Sequence, residues 1–319
     1  MKSIKILFIS LISIISILFG FATVYSNQTF YKNELKEIIH INNYEQLIED
    51  NKLHYNDNIY LENDILINEL SQSLGSIKHP YEGVFDGKGY TITISQSNVS
   101  FFGYLSKNAY VKNLSLIFEN VETLETSLGL IANLNEGRIE NCKIICKNMR
   151  IYKTGIYSFG VSVNKGNISN VIVEGEFEKS GNISDYKKSI IFGGIVGLNN
   201  KEGIIKSIVS NITFKNIEET KIENIYKNDS NSLTNISIGS CYGINNAIED
   251  KIVDLNKEST LFSLIDSHTY TVDKNNGYVI VYSKLEELYI DNNIYGKLSF
   301  SYDNWENDGC NYYLKRGIE

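Results

Sequence analysis

The sequence predicts an all-β fold: a single-stranded parallel, right-handed β-helix (β-solenoid) with a short helical N-terminal cap and a signal segment ahead of it. Three observations predict this. A glycine-containing arm followed by a short strand recurs along the middle of the chain. Apolar residues within each short strand return at every second position, the period of a strand and not of a helix. A small polar residue, usually asparagine, stands at the same point of four successive strands.

The four clear copies begin with Phe102-Gly103-Tyr104-Leu105 followed by Val111 to Leu116, and Leu128-Gly129-Leu130-Ile131 followed by Ile139 to Ile144. Phe159-Gly160-Val161 with Ile168 to Val173 and Gly193 to Gly197 with Ile205 to Val209 complete the set, and Gly239 to Gly243 with Ile248 to Asp250 is a degraded fifth. The polar hinge falls at Asn113, Asn141, Asn170 and Ser207, in steps of 28, 29 and 37 residues, so one coil per repeat is expected. Asparagine suits a hinge because it tolerates the left-handed backbone region and can hydrogen-bond to the asparagine above it. One coil cannot bury its own apolar stripe. Stacking coils at about 4.8 Å aligns the stripes into a common core, in which each buried Ile, Val or Leu contributes about 1.5–3 kcal/mol. A leucine-rich repeat lacks support, since the repeats are built on Gly and Ile at irregular spacing, and a two-sheet sandwich does not account for the recurring Gly arm.

These residues resemble the glycine-rich β-solenoid repeat called the GLUG motif, found in bacterial surface and secreted proteins and in non-catalytic regions of some IgA-type metallopeptidases. Gly193 to Gly197 with Asn199 and Gly203 is the best copy, and Gly83-Val84-Phe85-Asp86-Gly87-Lys88-Gly89-Tyr90-Thr91-Ile92 is similar to the phrase that opens the first coil. Ile59 to Ile65 looks like the opening strand of that group, and Tyr302 to Trp305 with Tyr312 to Lys315 like its closing strand. The resemblance runs from about Ile39 to Lys315, and it implies a fold and an extracytoplasmic location. It brings no catalytic residues with it.

Lys2 and Lys5 followed by the apolar run Ile6 to Ala22 and by Val24-Tyr25-Ser26 read as a signal peptide, the alternative being an uncleaved anchor. The organisation expected is therefore 1–26 signal segment, 27–80 N-terminal cap and opening strand, 81–255 solenoid repeats, and 256–319 last coil and C-terminal cap. Asn43 to Asn51 is the expected cap helix, and Ser283 to Leu288 has capping-box spacing for a second. Secretion or cell-surface display is expected, with membrane contact only through the first segment. No cysteine precedes Cys142 and the only proline is Pro80, so neither a lipoprotein thiol nor a proline-containing sortase signal is present.

The net charge of −8, with three arginines in 319 residues, offers no basic footprint for nucleic acid. His40, His54, His79 and His268 stand singly, so no zinc motif is written, and the Gly-Gly-x-Gly-x-Asp phrase of calcium-binding solenoids is absent. No catalytic, cofactor or metal residue is assigned. Cys142 and Cys146, four residues apart in a strand, lie about 13 Å from each other, beyond the reach of a disulfide, and read as inward thiols. Cys241 in Gly239-Ser240-Cys241-Tyr242-Gly243 mimics a nucleophile elbow but aligns with core-facing Ile195. Asp86 belongs to an Asp-Gly turn. The 22 tyrosines and the polar excursion Asn216 to Asn235 are places where a ligand could sit. The expected function is that of an exported, non-catalytic, adhesin-like interaction protein binding host or envelope components. A β-helix polysaccharide lyase or hydrolase is the alternative, and a non-catalytic portion of a larger peptidase is a third reading.

Overall fold

The structure, a computed structural model, describes residues 36–49, 52–53, 55–180, 190–200, 202–215, 222–223, 236–239, 242–245, 251–254, 278–281, 303–307 and 312–317. The signal segment 1–26, most of the excursion 216–235, the second helix expected at 283–288, His54, His268 and Cys241 lie outside these residues.

The chain winds as a parallel β-solenoid, and the alternation read from the sequence sets its inner and outer faces. Each central coil runs through three strands. A short strand such as Ser127–Gly129 leads to a second, Ala132–Asn135, and then to a long one, Arg138–Ile151. The next coil repeats the order with Gly155–Ser158, Val161–Asn164 and Asn167–Lys179. Equivalent strands pair in parallel: Cys142 lies opposite Leu114 on one side and Val171 on the other. Ile139, Cys142, Ile144 and Cys146 point inward with Val111, Leu116, Phe118, Val171 and Val173, and all of these are buried. Among the largest core side chains are Phe85, Phe101, Phe102, Phe159 and Phe192, whose rings meet edge-on in pairs.

Asn113, Asn141 and Asn170 have φ of 51°, 50° and 55°, the left-handed bend that lets one long strand turn a corner without breaking its ladder. Their side chains form a buried chain across the coils. Asn170 Nδ2 donates to Asn141 Oδ1 at 3.2 Å, Asn141 Nδ2 to Asn113 Oδ1 at 3.4 Å, and Asn113 Nδ2 to Asp86 Oδ1 at 3.2 Å. Asn170 Oδ1, at the far end, is buried with no hydrogen-bond partner among the described residues. By register the position opposite Asn170 is Ser207, since Ser169 pairs with Lys206 and Val171 with Ile208. Ser207→Asn is accordingly expected to add about 1 kcal/mol to the unfolding free energy in urea, by supplying a donor to that orphaned oxygen.

A second buried row runs the other way. Asn135 Nδ2 donates to Asn164 Oδ1 and Asn164 Nδ2 to Asn199 Oδ1, both at 2.8 Å, while Asn135 and Asn164 each also accept from the glycine amide two residues on. Its sequence signal is the repeated Asn-x-Gly of 135–137 and 164–166.

Two expectations need correction. The cap helix extends only over Tyr44–Leu47, one turn, before Ile48–Glu49 turns into an antiparallel pair with Lys52–Leu53. Its start is capped as expected, with Asn43 Oδ1 accepting from Gln46 N and Gln46 Oε1 accepting from Asn42 N. A single turn gains too few hydrogen bonds to propagate, and pairing wins at the β-branched Ile48. The glycine arms are not all equivalent either. Gly129 pairs with Ser158, whereas Gly160 stands beyond Ser158 at the next corner, so the arms as aligned in sequence slip by two residues. Glycine marks either corner of the coil, because at both the neighbouring coil leaves no room for a Cβ.

At the C-terminus, Trp305–Asn307 and Tyr312–Leu314 form an antiparallel hairpin. The hairpin packs on the outer side of the long strands Tyr110–Thr123 and Arg138–Ile151. Gly317 N donates to Lys88 O at 2.8 Å and Arg316 pairs with Asp64 at 2.5 Å. A Cβ at Gly89, where φ is +79°, would lie 1.8 Å from Lys315 O, so glycine is required for this approach. Lys143, outward in the strand, is covered: its ammonium lies 3.1 Å from Glu174 and 5.4 Å from the centre of the Tyr313 ring.

Candidate binding groove

The second strands of the coils stack into a sheet whose inward residues are Phe102, Ala132, Val161 and Val196 and whose polar row is Asn135, Asn164 and Asn199. Between them, Tyr104, Leu134, Val163 and Leu198 come into register on the outside. All four are only partly buried, so the sheet carries an apolar stripe toward solvent.

One coil earlier the same strand is interrupted. Leu74 bridges to Phe102 and Tyr81 to Leu105, and the residues between them bulge outward. Gly75, at φ +81°, opens the bulge, Ser76 N donates to His79 O at 2.8 Å, and His79 N donates to Ser76 Oγ at 3.2 Å. The His79 ring stacks on Tyr55 with centroids 5.7 Å apart. Ile77, at the tip, is 84% exposed. The bulge and the middle of the stripe, Leu134 and Val163, enclose an open groove of about 940 Å³ whose lining also includes Tyr55, Ser73, Lys78, Ser127, Asn133 and Lys165.

The floor is polar and apolar by turns. Ser73 Oγ donates to Ser100 O at 2.6 Å, Ser100 Oγ to Asn133 Oδ1 at 2.7 Å, and Gly129 N also donates to Asn133 Oδ1. The Asn133 carbonyl is therefore occupied, while its amide NH₂ has no partner among the described residues. At one margin Glu136 accepts from Tyr104 Oη at 2.7 Å and from Lys165 Nζ at 3.1 Å. The hydrogen bonds from Tyr104 and then Lys165 hold the Glu136 carboxyl below its ordinary pKa. Burial, reinforced by Glu136, pushes the Tyr104 phenol up to about 12. Glu136 is thus held ionised and Tyr104 neutral across neutral pH.

Asp86, Cys142 and Cys146, weighed in the sequence for chemistry, lie elsewhere. Asp86 is buried and structural: Oδ1 accepts from Lys88 N at 2.9 Å and from Asn113, and Oδ2 lies 2.9 Å from Lys112 Nζ. Cys142 and Cys146 are free and buried in the core. Burial pushes the Cys142 thiol up to about 12 and moves Cys146 in the same direction. A thiol whose folded pKa is raised stabilises the fold fully below its unfolded value near 8.5, and the contribution falls as pH climbs toward 12. Urea unfolding is therefore expected to show a loss of about 1.4 kcal/mol per pH unit per thiol above about pH 9. The same thiols are expected to stay inert to a thiol reagent at pH 8 until the chain is unfolded. Among the described residues, no group of three or more His, Cys, Asp and Glu could hold a metal ion, and no helix is long and apolar enough to cross a membrane.

A smaller polar pocket of about 350 Å³ sits on the outer side of the long sheet, between Glu69, Gln96, Ser97, Asn98, Asn120 and Glu122. Glu122 also lies 3.6 Å from Arg150, which bridges to Glu178 at 2.7 Å. The sequence reading missed both concavities, because each is assembled from coils about 28 residues apart.

No known protein family and no curated protein matches the chain. Among solved structures it is similar to that of a candidate immunoglobulin A1 protease from Bacteroides ovatus, at 18% identity and a TM-score of 0.46, over 88% of this chain and 92% of that one.

Proposed function

We propose that the chain is an exported, non-catalytic interaction protein that binds an extended ligand of the host surface or cell envelope along its groove. The observation that carries this reading is the outward row Tyr104, Leu134, Val163 and Leu198, kept in register over four coils beside a bulge that walls it in. An outward apolar row costs solubility and adds nothing to the core, which lies on the other side of the same strands. The apolar run Ile6 to Ala22 and the resemblance to surface repeat proteins support the location. Leu134→Asp tests the reading. The residue is partly exposed on the outer face and outside the core, so the β-sheet signal and the melting temperature of the variant are expected to remain near those of the parent, while binding to surface glycans and matrix proteins on an array is lost. Undiminished binding by the folded variant would remove the groove from the function.

A carbohydrate-active enzyme is a second reading, favoured by the pocket that gathers Glu69 and Glu122 with three amide side chains. Polysaccharide turnover abolished by Glu69→Gln or Glu122→Gln would establish it. Turnover unchanged by either substitution would remove it.

A further inference from the structure

We infer that the groove takes an anionic glycan chain, whose carboxylates meet Lys78 while its ring faces lie on the apolar stripe. The inference rests on the groove being the binding surface and names the ligand class that its chemistry selects.

Charge comes first. The chain carries a net charge of −8, yet no carboxylate lines the groove. Its charged lining residues are Lys78 and Lys165, and Lys165 is already matched by Glu136. Lys78, on the bulge, has no ion-pair partner among the described residues. An acidic group entering the groove would thus find a free ammonium, and the one carboxylate at its margin, Glu136, is already matched by Lys165.

The floor then separates a glycan from other extended anions. A peptide captured by strand addition needs a sheet edge with unpaired N–H and C=O groups. Here the ligand would lie on a sheet face: Ala132–Asn135 and Val161–Asn164 are paired on both sides, and Phe102–Leu105, paired on one side, has Gly103 N and Tyr104 O bonded to Leu74 O and Tyr81 N on the other. A main-chain ladder is not on offer. A lipid would want a floor that is apolar throughout, whereas this one sets Leu134 and Val163 beside Asn133, Ser127 and Ser73. Alternating apolar patches with hydroxyl and amide groups match a sugar chain, which presents C–H faces and hydroxyl edges in turn. The free amide of Asn133 and the partly buried ring of Tyr55, held against His79, supply the two kinds of contact that such a chain uses.

The test uses the full chain and four probes: polygalacturonate, the same polymer with its carboxylates reduced to alcohols, poly-glutamate, and phospholipid vesicles of mixed acidic and neutral headgroups. Saturable binding to polygalacturonate is expected, weakened about tenfold by Lys78→Glu and by raising salt from about 0.05 to about 0.5 M. It is also expected to be lost in Leu134→Asp and much weaker for the reduced polymer. Equal binding of the reduced polymer, unaffected by Lys78→Glu but lost in Leu134→Asp, would overturn the anionic preference and leave the groove standing. Binding of poly-glutamate or vesicles in place of the glycan, still lost in Leu134→Asp, would overturn the glycan class alone. Binding of any probe that survives Leu134→Asp in a folded chain would overturn the groove itself.

Discussion

Asn141→Ala is expected to lower the unfolding free energy by about 3–8 kcal/mol. The side chain fills a left-handed position, at φ 50°, where an L-residue without asparagine's local compensation costs about 1–2 kcal/mol. Removing it also strips Asn113 Oδ1 of its donor and Asn170 Nδ2 of its acceptor, both in the interior, at about 1–3 kcal/mol for each buried group left unsatisfied. Asn141→Gly separates the two causes, because glycine accepts the backbone angle and loses only the hydrogen bonds. Chemical denaturation of the three chains should therefore rank parent, glycine variant and alanine variant in falling stability. An alanine variant as stable as the parent would mean that the side-chain ladder contributes nothing.

Trp305→Ala is expected to release the C-terminal hairpin, with a local loss of about 3–5 kcal/mol, the usual cost of emptying a buried indole site. Trp305 and its cross-strand partner Leu314 are 2% and 4% exposed, and the strand that carries Leu314 packs on the long strands, so the loss of the indole is expected to loosen the hairpin from them. Arg316 and the Gly317 amide add polar ties to Asp64 and Lys88, but exposed ion pairs such as Arg316–Asp64 contribute little. Limited proteolysis should cut the variant within 303–317 while the solenoid coils stay resistant. Hydrogen exchange at the Gly317 amide, now bonded to Lys88, should accelerate in parallel. Unchanged protection at both places would show that the hairpin is held by something other than the indole.

Much of the solenoid is legible in the chain because its constraints are local. Few residues other than glycine accept φ near 50°, and Asn113, Asn141 and Asn170 advertise that position directly. Period-two alternation from Leu114 to Phe118 and from Cys142 to Cys146 fixes the inward face, which is how two cysteines could be read as core residues without any partner. Glycines are poorer markers. They serve two different corners, so Gly129 and Gly160 resemble each other in sequence and occupy different places in the coil. Features made by distant contacts escape local reading altogether. Nothing in Gly75 to Pro80 beyond turn residues announces a bulge walling a groove, and nothing in Tyr312 to Gly317 announces a return to Lys88. The outward stripe was hidden for the same reason: Leu134 and Val163 look like core residues until the register shows which side of the strand they take.

The ladder, the groove and the covered flank all require that residues one coil apart be immediate neighbours, and a register-specific cross-link measures that directly. Ile117 and Ile145 are outward partners on adjacent long strands. Their Cα atoms are about 4.8 Å apart by strand spacing, within the span of a disulfide, whereas Ile117 and Lys147 are separated by about 8 Å. In the full chain carrying Ile117→Cys and Ile145→Cys, mild oxidation should give the 117–145 linked peptide in high yield by mass spectrometry, and the Ile117→Cys, Lys147→Cys control should give little. Equal yields, or a preference for the control pair, would contradict the stacking from which the site is built.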